Sequence, residues 1–69
     1  MKVVINIPNV FYEEKSCDEF LECLEYYMMY LTKYSKQLGV CYGNNYLGKF
    51  PIPGEYKNEC VHGYVEIVR

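Results

Sequence analysis

The sequence predicts an α+β domain: one long helix packed on a small, mainly antiparallel sheet of three or four strands, in the order β-α-β-β-β. Three observations carry that expectation. Residues 16–38 repeat apolar positions at helical spacing between a start and a stop signal. Residues 2–7 and 60–68 alternate as strands do. The chain of 69 residues is 51% hydrophobic and 23% charged, enough apolar material for one core and too much for a disordered segment. A single domain, 1–69, is expected, and a chain of this size buries only about 60% of its unfolded surface, leaving little from which to carve a catalytic cleft.

The first strand is read at 2–7, where Val3, Ile5 and Ile7 share one face and Lys2, Val4 and Asn6 the other. Pro8 ends it. Residues 9–15 read as a connector whose Val10, Phe11 and Tyr12 plug the end of the core. Ser16 followed by Glu19 has the form of a capping box. From there Cys17, Leu21, Leu24, Met28, Leu31, Ser35 and Leu38 recur in steps of four and three, a stripe expected to face the sheet, with Phe20, Tyr27 and Tyr34 beside it. Gly39 supplies the helix stop. About 22 helical residues would span about 33 Å, longer than strands of five to eight residues at about 17 to 27 Å, so the helix is expected to overhang. Residues 40–42 and 46–50 read as short strands around the turn residues Gly43, Asn44 and Asn45. Residues 55–59 read as an exposed loop after Pro51, Pro53 and Gly54. Residues 60–68 form the longest strand, near the sheet centre, with Val61, Val65 and Ile67 on one side and His62, Tyr64 and Glu66 on the other.

The net charge of −2 conceals a segregation: Glu13, Glu14, Asp18, Glu19, Glu22 and Glu25 against Lys15 give −5, while the remaining three acids and six bases give +3. Acids early in a helix and Lys33 and Lys36 late in it suit the macrodipole, and an acidic surface also suits a basic protein partner. No basic patch is present for direct nucleic-acid binding. No run approaches the roughly 18 apolar residues of a membrane span, and no signal-type cleavage site follows Met1. The expected location is the cytoplasm, the host's for a viral protein. Alanine is absent and Lys outnumbers Arg six to one, a bias of AT-rich genomes that points to a low-GC bacterium, its phages or an archaeal virus.

Cys17, Cys23, Cys41 and Cys60 form no closely spaced pairs, so no metal site is expected. On one continuous helix Cys17 and Cys23 would stand about 9 Å apart along the axis and point in different directions, too far to bridge. A bridge would have to tie helix to sheet or join Cys41 to Cys60, and buried free thiols are the favoured reading. Cys60 and His62 share a strand face but no orienting group is written nearby; neither the acids Asp18, Glu22 and Glu25 nor the Gly- and Asn-rich stretch 43–48 matches a catalytic or phosphate-binding pattern. No catalytic residue and no cofactor is expected.

What remains is a surplus. Tyr26, Met29 and Tyr30 fall opposite the expected inner stripe, the kind of aromatic surface enriched at protein interfaces. The functional expectation is a small non-catalytic protein-binding module, an inhibitor from a phage or mobile element that blocks a host defence or nucleic-acid-handling protein. Tyr26, Met29 and Tyr30 would anchor it, flanked by Glu19, Glu22, Glu25 and Lys33. The alternatives are a self-associating structural module, whose helix stripe would serve as a homodimer seam only if the sheet were covered otherwise, and a protein sequestering a nucleotide-type ligand between tyrosines near Lys49 and Lys57.

Overall fold

The structure, a computed structural model, describes residues 1–42 and 56–68. Its elements are β1 (Lys2–Ile7), β2 (Phe11–Ser16), α1 (Phe20–Lys33), α2 (Ser35–Leu38), β3 (Tyr56–Glu59) and β4 (Tyr64–Val68). The strands form one antiparallel sheet in the order β2-β1-β4-β3, with the helix across one face. The α+β class matches the expectation, but the order is β-β-α-α-β-β. The expected hairpin around Gly43 to Asn45 and the strand at 46–50 lie outside the described residues.

The additional early strand arises at the turn after Ile7. The Val10 N–H donates to the Ile7 carbonyl at 2.9 Å, and Asn9 takes φ 67°, a conformation Asn tolerates better than most residues. Pro8 therefore ends β1 by turning the chain into a hairpin. Val10 and Tyr12 are exposed and Phe11 is half-buried, so the expected three-residue plug reduces to Phe11. Residues 55–59, expected as a loop, contain β3, paired to β4. At the far end of the hairpin the Cys60 N–H donates to the Gly63 carbonyl at 2.8 Å. Gly63 must be glycine, because a Cβ there would run into the Asn6 carbonyl oxygen and the Ile7 Cα. The last strand is consequently five residues rather than nine; it is central, as expected, and Val61 is exposed in the turn.

The helix differs most from expectation. Ser16 is the last residue of β2, opposite Lys2, and the N-cap is Glu19, with no side-chain cap bond. Glu22 instead accepts from the Asp18 N–H at 3.2 Å. The helix breaks at Tyr34 (φ −107°, ψ 23°) before the single turn α2. Gly39 ends it as expected, at φ 80°, ψ −158°, a region comfortable only for glycine. Fourteen residues of α1 span about 21 Å, matching six-residue strands of about 20 Å, so the expected overhang does not occur. Among the described residues no helix is long and apolar enough to cross a membrane.

The core joins Val3, Ile5, Ile7, Val65 and Ile67 of the sheet to Cys23, Tyr27, Tyr30 and Leu38 of the helices. Of the stripe expected inside, Leu21 is 66% exposed and Met28 44%, while Leu24 and Leu31 are half-buried. Tyr27 and Tyr30 take the inner position at 0% and 3%. The helix is rotated by about one residue, roughly 100°, from the expected orientation.

Two cysteine expectations change with it, that Cys17 and Cys23 are too far apart to bridge and that the thiols are free. Cys41–Cys60, by contrast, is one of the bridges the sequence allows. Cys17 lies beyond the end of β2 rather than on a helix, so its Cα is 5.7 Å from that of Cys23 and the two are disulfide-bonded. Cys41 and Cys60 form the second disulfide, and no described cysteine is a free thiol. Bonds from the Tyr42 N–H to the Glu59 carbonyl and from the Val61 N–H to the Val40 carbonyl flank that pair. Cys41 and Cys60 thus occupy a non-hydrogen-bonded pair, where facing side chains approach most closely. Two bridges in so short a chain supply what a small core cannot.

Candidate functional site

The orientation of α1 is set by a ladder between the helix and the edge strand β2. Residues 26, 30 and 34 follow one another at helical spacing, and Phe11, Glu13 and Lys15 alternate onto the same sheet face. Phe11 stacks on Tyr34 at 4.7 Å between ring centroids. The Tyr30 hydroxyl donates to Glu13 at 3.1 Å. Lys15 Nζ lies 5.2 Å from the Tyr26 ring centroid. Burial first, and then the bond to Glu13, push the Tyr30 hydroxyl up to about 12. Tyrosine suits this work because its ring fills the core while its hydroxyl reaches the polar margin.

The ladder decides the fate of the expected binding residues. Tyr30 is not outward: it is buried and bonded within the chain. Tyr26 is half-buried beneath Lys15, and Lys33, exposed, lies with Nζ 5.6 Å from the Tyr34 ring. Met29 is exposed. Glu19 and Glu25 are exposed and Glu22 is half-buried. The structure therefore separates the expected group, tyrosines toward β2 and acids toward solvent.

The acids have different company from that expected. Glu19, Glu22 and Glu25 line a shallow, open depression on α1 together with Leu21, Leu24 and Met28. The three apolar members were missed because the hydropathy pattern assigns leucine and methionine to the core before tyrosine. A signal was present: Cys23, Tyr27, Tyr30 and Tyr34 repeat in steps of four, three and four, as the Leu–Met stripe does. One helix face cannot bury both stripes.

The opposite sheet face carries Lys2, Val4, Asn6, Tyr12, Glu14, Tyr64 and Glu66 by register. Lys2 pairs with Glu14 at 3.1 Å, and Glu14 also accepts from the Tyr12 hydroxyl. The Tyr12 bond, then Lys2, lower the Glu14 carboxyl below its ordinary range, and the same bond raises Tyr12. On the β3–β4 pair of the same face, Lys57 contacts Glu59 at 3.6 Å and the Tyr64 ring at 4.4 Å. His62 is exposed beside them, and Cys60 is bonded to Cys41, so the thiol and imidazole of the C-x-H spacing do not form a nucleophile and base. Among the described residues no three His, Cys, Asp or Glu side chains gather as metal ligands would.

These features define a small, doubly disulfide-bonded α+β protein in which, among the described residues, Leu21 and Met28 of α1 are exposed. The chain is 65% identical, over all 69 residues of both sequences, to uncharacterized protein 9 of the Sulfolobus islandicus filamentous virus (isolate Iceland/Hveragerdi), and it belongs to that family of viral proteins. The archaeal virus is among the sources to which the AT-rich composition points. No protein-family model and no solved structure matches the chain.

Proposed function

We propose that this viral protein is a non-catalytic protein-interaction module that docks through the outward face of α1, and that it acts by occupying a surface of a host defence or nucleic-acid-handling protein. The observation that carries the reading is Leu21, 66% exposed, and Met28, 44% exposed, on the same helix stripe, edged by Glu19, Glu22 and Glu25. A small protein gains by burying such residues in its own core, and tyrosines occupy that place here. Contiguous apolar surface with a polar margin is the usual form of a protein contact. The acids would steer it toward a basic surface and raise the association rate more than the affinity. Blocking is then steric.

The test is site-specific photo-crosslinking in host extract, with the photoreactive residue at Glu25 or, as a control on the other sheet face, at Tyr12. A single polypeptide captured from position 25 but not from 12, and displaced by unlabelled protein but not by the Leu21→Ser/Met28→Ser variant, is the expected result. Equal capture from both positions would place docking elsewhere.

A further inference from the structure

We infer that the occupant of this face is a cationic amphipathic helix of the partner, an inference that rests on the docking reading above and specifies its chemistry. Leu21 and Met28, seven residues apart, are the exposed members of the stripe, while Leu24 and Leu31 are half-buried against the core. The stripe thus offers two outward side chains two turns apart, the repeat of one position in a two-helix seam. On one side of that seam stand Phe20 and Tyr27, which turn toward the core. On the other stand Glu22 and Glu25, facing out. A helix laid along the stripe would insert its own apolar residues between these side chains and bring its flanking positions over the two carboxylates.

The charges select the partner. Lys33 is the one base in α1, and it lies against Tyr34, which stacks on Phe11 of β2. A second copy laid along the stripe would bring Glu19, Glu22 and Glu25 with this single base from the helix. Acids would then outnumber cations between the two helices, and an anionic lipid surface or a nucleic acid would be repelled. An added strand is also unsuited, because α1 presents no open backbone edge. Lysines or arginines bordering an apolar stripe satisfy both halves of the surface.

The experiment is calorimetric titration of the full chain with three synthetic helical peptides of equal length. One has leucines at seam spacing and lysines elsewhere; the second replaces the lysines with glutamates; the third keeps the first composition with its order shuffled to erase the stripe. The first is expected to bind one to one, with affinity falling as salt rises, the second not to bind, and the third to bind at least about tenfold more weakly. Leu21→Ser/Met28→Ser should weaken the first peptide by about 30-fold, and Glu22→Gln/Glu25→Gln should flatten its salt dependence. Equal binding of the first and third peptides would reduce the effect to bulk charge and overturn the inference, as would sedimentation of the chain as a dimer that Leu21→Ser/Met28→Ser dissociates. Loss of peptide discrimination alongside intact crosslinking from position 25 would overturn the cationic helix and leave the docking reading standing.

Discussion

Opening the two disulfides one at a time should cost unequal amounts, and the difference follows from chain separation. Cys17 and Cys23 are 6 residues apart and Cys41 and Cys60 are 19 apart. In the loop-entropy description a bridge stabilises by restricting the unfolded chain, giving roughly 2 kcal/mol for the short loop and roughly 3 kcal/mol for the long one. A domain of this length has a total stability on the order of 3 to 10 kcal/mol, so full reduction should unfold much of the population. Substituting cysteines also disturbs packing, since Cys23 is fully buried. The cleaner comparison keeps each sequence constant and changes only its redox state. Cys17→Ala/Cys23→Ala retains the long loop, and its oxidised and reduced forms should differ by about 3 kcal/mol in urea titrations followed by circular dichroism. Cys41→Ala/Cys60→Ala retains the short loop and should show a gap of about 2 kcal/mol. Four alkylated thiols in unreduced, denatured wild-type protein would show that neither bridge forms, and gaps in the reverse order would show that loop length does not set the difference.

Two further outcomes test the helix–sheet contacts. Because the Tyr30 hydroxyl is held up to about 12 against an ordinary 10.0, its contribution is present in full below pH 10 and is lost as pH rises from 10 to 12. Tyr30→Phe should be about 1 kcal/mol less stable than wild type at pH 8, and the order should reverse near pH 12, read as paired urea midpoints; a constant difference would mean that the hydroxyl is not held by burial and Glu13. Gly63→Ala, which drives a Cβ into backbone of β1 rather than into a movable side chain, should lower stability by about 2 kcal/mol or more, and an unchanged thermal midpoint would contradict the close approach of the β3–β4 turn to β1.

The strands that obey simple alternation were legible. Val3, Ile5 and Ile7, and Val65 and Ile67, lie where their pattern places them, and Gly39 stops the helix. β2 was not, because its inward residues Phe11, Glu13 and Lys15 are matched to tyrosines rather than to aliphatic core, so hydropathy does not alternate along it. The start of α1 was obscured by Ser16 and Glu19, which copy a capping box although Ser16 completes a strand. That single displacement also hid the Cys17–Cys23 bridge, which is unreachable on one helix and short across a strand end. Of the residues lining the depression on α1, the sequence singles out Glu19, Glu22 and Glu25 and not Leu21, Leu24 and Met28. The surplus of apolar helix surface was legible too, but its side was not: two stripes share one periodicity, and a hydropathy ranking prefers leucine where the edge strand demands tyrosine.

The proposed docking requires the orientation of α1 that sets Tyr27 and Tyr30 against the sheet and leaves Leu21 and Met28 exposed. Hydroxyl-radical footprinting of the free protein tests it most directly, with each residue's oxidation rate divided by its rate in the unfolded chain. Met28 and Met29, 44% and 42% exposed, should keep a large fraction of their unfolded reactivity, while Tyr27 and Tyr30 should be almost unreactive. Protection of Met28 to the level of Tyr27, with Tyr30 open to oxidation, would put the stripe in the core and contradict the account.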